Sequence, residues 1–272
     1  MTDVRFKSFS SGSCGNCYYL GVAQDGVAVA GVLIDAGVSI RRLKRELQAE
    51  GLTLDDFSAI LVTHDHMDHI RSLGSYAKHL QRPIWASETL HKALASHVMT
   101  HEYVPDCKRV LRKGEWNEVV PGYISVRYFV VPHDATETVG FAIKLADHKY
   151  VHITDCGRMT DEALDFCSKA DTVVLESNYD IEMLKNGPYP PDLQRRIRSG
   201  SGHLSNDDCA AAIRQIAHKG LRNLFLCHLS ENNNTPEAAF ASTARALMEL
   251  GVKETVRLQT LPRQTATPLI QL

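Results

Sequence analysis

The segment VTHDHMDH packs His64, His66, Asp68 and His69 into six residues, where the apolar run SAILVT ends. Imidazole and carboxylate groups at such density are metal-ligand chemistry, suited to zinc, manganese or iron. In an extended segment residues i and i+2 point the same way, so His64 and His66 can grip one ion. The chain then turns into MDHIRSLGSYAKHL, a predicted helix whose first turn presents Asp68 and His69 to a second ion. Asp65 alternates away from the two histidines and is expected to serve the turn.

Three further candidate ligands stand where apolar runs end: His133 in FVVPHD, Asp155 in YVHITDCG and His228 in LFLCHL. Strand ends facing one direction are the usual place for chemistry in α/β proteins. His152, inside the same strand as Asp155, is expected to be packed. His79, His91, His97, His101, His148 and His218 follow helix or surface patterns and read as structural. The triplet His-Leu-Ser occurs twice, with His203 in SGHLSND and His228 in LCHLSEN. The second triplet closes an apolar strand and suits ligation. The first follows an arginine-rich loop and opens a helix, where a histidine can meet a substrate.

These residues need elements to position them. VRFKSF, CYYLGV and VAVAGVLIDAG read as strands, SIRRLKRELQAEG as a helix stopped by Gly51, RPIWAS as a strand and ETLHKALASHV as a helix. Strands dominate again from residue 109 to 155, followed by ADTVVLES. Then come the helix NDDCAAAIRQIAHKG, closed by Gly220, the strand LRNLFLCH, and a helix with Thr235 as its N-cap and Pro236 in its first turn. Two strand-rich halves, each followed by helices, predict an α/β chain in which two sheets pack together with helices outside. Without repeats or a low-complexity linker, residues 1–272 are expected to form one domain.

At 272 residues and 44% apolar content the chain can bury a sizeable core, and its net charge of -2 argues against a generally basic nucleic-acid binder. A local basic patch remains open. No apolar h-region follows the start and no apolar run is long enough to span a bilayer, so a cytoplasmic protein without membrane contact is expected. Seven cysteines cannot all pair internally, and CGNC (Cys14, Cys17) has no second CxxC to complete a zinc ribbon.

Two regions suit an anion. SGSCGN (Ser11 to Asn16, including Ser13) could form a turn whose backbone amides cup a negative group. QRRIRSG sets Arg195, Arg196 and Arg198 before His203, where they could neutralise phosphates. Ser205 and Asn206, at the helix entry beside His203, are either its caps or substrate contacts. SIRRLKRE reads as solvated surface. Aromatics are sparse there, with Tyr179 and Tyr189 the only candidates for base stacking.

The HxHxDH cluster, a later single histidine, an aspartate before glycine and a final histidine resemble the metallo-β-lactamase superfamily over nearly the whole chain. That resemblance implies a four-layer αββα sandwich with a two-metal site at one edge. His64, His66 and His133 would hold one ion and Asp68, His69 and His228 the other. Asp155 would bridge them, and an acidified bridging water would be the nucleophile. The ions could be zinc, manganese or iron. Two divalent ions less two carboxylates and one hydroxide leave a charge of about +1, which welcomes a phosphate.

The stretch GHLSNDDCAAAIRQIAHKGLRNLFLCHLS resembles the phosphodiesterase branch that includes ribonuclease Z. By that likeness His228 is a ligand and His203 the general acid. Asp68 counts as catalytic through its place in the metal site. SSGSCGN, VLIDAG, HDATETVGF, LESNYD and NGPYPPDLQRRIRSGSGHLSN resemble the YycJ/WalJ group, regarded as DNA exonuclease-like phosphodiesterases. The resemblance implies a nucleic-acid substrate, DNA ahead of RNA. A small-molecule hydrolase of the same fold, cyclic phosphodiesterase or thioesterase/lactonase, is the alternative. Whether the chain is a monomer or a homodimer stays open.

Overall fold

Runs rich in β-branched and aromatic residues build two sheets. The first contains β1 (Thr2–Gly12), β2 (Gly15–Gln24), β3 (Val27–Ile34), β4 (Ala59–Leu61), β5 (Ile84–Ala86) and β6 (Lys108–Val110). The second contains β7 (Asn117–Val120), β8 (Ile124–Val131), β9 (Thr138–Leu145), β10 (His148–Ile153), β11 (Thr172–Glu176), β12 (Asn223–Cys227) and β13 (Arg257–Thr260). β14 (Ile270–Gln271) returns to pair with β1. The computed structural model describes residues 2–272.

The helices are α1 (Ile40–Gln48), α2 (Met67–Ile70), α3 (Leu73–Leu80), α4 (Glu88–Ser96), α5 (Asp161–Cys167), α6 (Ile181–Asn186), α7 (Pro191–Ile197), α8 (Asn206–Ile216) and α9 (Pro236–Glu249). Period-two alternation along the strands sorts side chains into layers. Phe6, Tyr18, Val32, Leu61, Phe141, Val174 and Phe225 pack between the sheets. Outside the first sheet, Leu33, Ile60 and Val62 meet Leu47 of α1, Tyr76 of α3 and Leu90 of α4. Outside the second, Leu175 and Leu226 meet Cys167 of α5, Ile213 of α8 and Leu247 of α9. The result is the expected four-layer αββα sandwich. Each fully buried Leu, Ile, Val or Phe stabilises it by about 1.5–3 kcal/mol.

Each sheet is parallel on one side. β3 to β6 pair in parallel, and so do β10 to β13. Buried on both faces, β11 and β12 read as continuous apolar runs rather than alternating ones. The ends of β3, β10 and β12 lead into residues with left-handed backbone: Asp35 (φ 61°), Asp155 (φ 47°) and His228 (φ 54°). Asp and His tolerate that region better than most residues, and such strain collects at functional sites.

The capping expectations hold. The Thr235 hydroxyl accepts from Ala238 N with Pro236 in the first turn, and Ser205 forms a capping box with Asp208 on α8. Two helices differ from their predicted lengths. MDHIRSLGSYAKHL breaks at Arg71–Ser72 into α2 and α3, so the turn carrying Asp68 and His69 orients independently of α3. α8 stops at Ile216 with an extended Ala217, four residues before Gly220.

Candidate active site

The segment after β4 carries His64 and His66, and α2 carries Asp68 and His69. A side chain from the end of β3 organises them. Asp35, fully buried, accepts from Thr63 N and Thr63 Oγ1 at 2.8 Å each and lies 2.7 Å from His69 Nδ1. That contact assigns the His69 proton to Nδ1 and leaves Nε2 to face inward, 3.1 Å from Asp155 Oδ2. Gly37 follows two residues after Asp35. A Cβ there would lie 1.9 Å from Asp68 O and 2.4 Å from Asn16 N, so only glycine lets this backbone approach α2.

His133 enters from the loop after β8. Its Nδ1 lies 2.8 Å from the carbonyl of Gly202, and its Nε2 lies 3.3 Å from His66 Nδ1. The carbonyl can only accept, so His133 Nε2 carries the free lone pair. Asp65 accepts from Thr136 N at 3.2 Å and from its hydroxyl, tying the 64–66 segment to the loop beyond His133. That is the turn role expected of it.

The second sheet supplies Asp155, Glu176 and His228. Asp155 Oδ1 lies 3.7 Å from His133 Nε2 and 3.4 Å from His228 Nδ1, while His228 Nε2 lies 3.4 Å from Asp68 Oδ2. His203 precedes α8, with its Nδ1 2.7 Å from Glu176 Oε1. His228 Nδ1 is 3.1 Å from the same oxygen. The other Glu176 oxygen accepts from Cys156 N and Leu204 N at 2.8 and 3.1 Å. Glu176 therefore holds both histidines of the repeated triplet.

The charges interlock. Burial pushes His64 well below the usual imidazole range, and the neighbouring His69 adds to this. Burial also disfavours the charged form of His69, but Asp68, Asp35 and Asp155 outweigh it and hold its pKa well above the usual range. Burial likewise opposes His228, yet Asp155, Asp68 and Glu176 raise it to about 10. Burial alone would raise Asp155, but His228 and His69 keep it well below the carboxylate range. In His203, Glu176 and Asp155 raise the pKa against burial.

Side-chain donors fall into groups whose atoms lie within 4.8 Å of one another: His64, His66 and His133; Asp68, His69 and His228; and His64, His69 and Asp155. A fourth group joins Asp155, Glu176, His203 and His228. Residues 31–229 match the model of the beta-lactamase superfamily domain. The chain belongs to the beta-lactamase superfamily. It is 35% identical to the exodeoxyribonuclease YycJ of Bacillus anthracis, over 91% of this chain and 90% of that protein. It is 30% identical to the exodeoxyribonuclease WalJ of Streptococcus pneumoniae serotype 2 (strain D39 / NCTC 7466), over the full length of both. Among solved structures, the metallo-beta-lactamase fold protein YhfI from Bacillus subtilis superposes with a TM-score of 0.67. That match covers 97% of this chain and 99% of that one at 15% identity, a likeness of fold.

As a superfamily member the chain is a metal-dependent hydrolase, and its site residues fit divalent ions. His64 Nε2 is buried with no hydrogen-bond partner. Asp35 and Gly202 settle two tautomers so that His69 and His133 each present the Nε2 lone pair inward, that of His69 toward the Asn16 amide at 2.9 Å. The buried carboxylates of Asp155 and Glu176 bring negative charge that a cation would offset.

The residues proposed to touch substrate separate into two sets. Ser13 lines a cavity of about 190 Å³ with His203, Asp134, Asn178, Tyr189 and Arg196. Asn16 is buried beneath it, its amide 2.9 Å from both Asp68 Oδ2 and His69 Nε2. Ser205 is occupied in capping, and Asn206 in bonds with Ser177 and Asn234. Arg195 and Arg198 are exposed, with Arg195 paired to Asp192. Arg196 is the arginine of that run which reaches the cavity, where Nε pairs with Asp134. Tyr189 lines the cavity, whereas Tyr179 is buried. His152 is buried in β10 with Nδ1 3.1 Å from Tyr150 Oη, as a packed residue should be. Asp35 and Glu176 escaped sequence reasoning. Their one signal is an acid at the end of an apolar strand run, in VLIDAG and VVLES.

No helix among the described residues is long and apolar enough to cross a membrane. All seven cysteines are free thiols, and Cys156 packs in the core on the helix side of the second sheet.

Proposed function

We propose that this chain is a two-metal exodeoxyribonuclease acting in the cytoplasm, with residues 1–272 forming one hydrolase domain. DNA is preferred to RNA because both named relatives are exodeoxyribonucleases. In this reading His64, His66 and His133 would hold one ion and Asp68, His69 and His228 the other, with Asp155 within reach of both groups. When bound, zinc, manganese or iron would supply Lewis acidity at this site. Asp35 and Glu176 orient the ligands, Asn16 steadies Asp68 and His69, and Arg196 meets the substrate phosphate after leaving Asp134.

The observation that carries the phosphodiester chemistry is the placement of His203. Its Nδ1 is held by Glu176 and its ring lines the cavity, 5.0 Å from His133 and 5.4 Å from His228 between ring centres. With Nδ1 committed, Nε2 is left to give a proton to the departing alkoxide, whose unprotonated expulsion is costly.

The test is a substrate panel with metal analysis. Purified protein with manganese or zinc is offered end-labelled single- and double-stranded DNA, RNA, bis-p-nitrophenyl phosphate, a thioester and a chromogenic β-lactam. Stepwise shortening of DNA from an end is expected. Cleavage of the thioester or the lactam alone would overturn this reading.

A further inference from the structure

The cavity beside His203, about 190 Å³, is below the roughly 300–1,000 Å³ of pockets that take organic ligands. It has room for a phosphate and its ester oxygens, so the nucleoside on at least one side must lie elsewhere. A larger cavity of about 670 Å³ adjoins it. Ser230, two residues past His228, lines both. The turn bearing Ser13 of the smaller cavity also touches the wall of the larger one. Gln264, on the wall of the larger cavity, lies with Nε2 3.4 Å from Cys14 Sγ.

The walls indicate what the larger cavity would take. Leu229, Leu261, Pro236 and Pro262 give it apolar sides. Its one cation, Arg263, is bound to Glu231 at 2.8 Å, and Glu237 adds further negative charge at the rim. That lining repels a second phosphate. It suits a sugar and a base, whose faces are apolar and whose edges carry N–H donors for Glu231, Glu237 and Gln264.

Resting on the nuclease reading above, we propose that this cavity, between the start of α9 and residues 260–265, binds the nucleoside that flanks the reacting phosphate. The phosphate stays at His203, and the chain passes over Ser230 into the second cavity.

Wild-type protein is assayed on three esters sharing one leaving group: methyl p-nitrophenyl phosphate and the 3′- and 5′-(p-nitrophenyl phosphates) of thymidine. One thymidine ester should exceed the methyl ester about tenfold or more in kcat/KM, and which one it is reports the side that the cavity serves. Glu237→Trp and Thr265→Trp fill the cavity from opposite walls, and each should remove that ratio while keeping wild-type metal content. Equal rates on all three esters, or a ratio that survives both substitutions, would overturn the subsite while DNA cleavage by the wild type still upholds the nuclease. Hydrolysis of the small esters with no cleavage of any oligonucleotide would overturn the nuclease reading and the subsite together.

Discussion

His203 and His228 share a triplet and a carboxylate, yet they occupy opposite kinds of place. His228 follows β12, the strand next to the edge of its sheet, in left-handed backbone, is 3% exposed, and receives a hydrogen bond at its carbonyl from Asn178. Its backbone N–H donates to Ser11 across the sandwich at 3.0 Å. His203 sits on a loop, its side chain 21% exposed, and it lines the cavity with the arm that carries Tyr189 and Arg196. Glu176 Oε1 touches Nδ1 of both rings. What separates them is the other nitrogen: His228 Nε2 faces Asp68, whereas His203 has its ring on the cavity. Identical local sequence thus meets two different surroundings, because the backbone carrying it decides what the free nitrogen can reach.

The sharpest way to break this comparison is to remove each histidine. His228→Ala should lose one of two bound metal equivalents by elemental analysis, and activity should fall further than loss of a general acid alone would take it. His203→Ala should retain both metals and lose about 10²–10⁴-fold in turnover on DNA. On bis-p-nitrophenyl phosphate the His203→Ala loss should shrink, since p-nitrophenolate leaves without protonation. Loss of a metal from His203→Ala would move His203 into the ligand set, where its grouping with Asp155, Glu176 and His228 also allows it.

The shared carboxylate comes next. Glu176→Gln keeps the shape but removes the charge that orients both imidazoles. Such partners typically contribute about 10–100-fold to metal affinity or activity. We expect a loss in that range, divided between weaker metal retention, through His228, and lower kcat, through His203. A change in only one of the two would show that Glu176 serves a single histidine.

Sequence spacing showed the candidate ligands far better than it showed what holds them. His64, His66, Asp68 and His69 lie within six residues, and His133, Asp155 and His228 each end an apolar run, so local pattern suffices. Asp35 and Glu176 act on residues 27 to 52 positions away, a relation that no local pattern carries. The sandwich was legible because both halves carry strand runs followed by helices. The break between α2 and α3 was not legible, since MDHIRSLGSYAKHL keeps helical spacing through Arg71 and Ser72. Ser205 and Asn206 show the converse: polar residues beside a site, absorbed by the cap and by Asn234.

The arginines give the smallest expected effect and test the His203 side alone. α7 is about two turns long, too short for its periodicity to announce which face turns inward. The fold points Arg196 to the cavity through Asp134, whereas Arg195 is held by Asp192 on the exposed face. Arg196→Ala should raise KM for DNA severalfold with kcat little changed, and reduce the slope of log KM against log salt by about one. Arg195→Ala should change neither. Arg195→Ala should keep wild-type metal content, and any loss in Arg196→Ala should be confined to the His64, His66 and His133 group, because Asp134, the partner of Arg196, lies 3.4 Å from His133 Nε2 and 3.9 Å from His66 Nε2. Equal effects from the two substitutions would mean that the run acts as a diffuse positive surface, and that Arg196 has no privileged place beside His203.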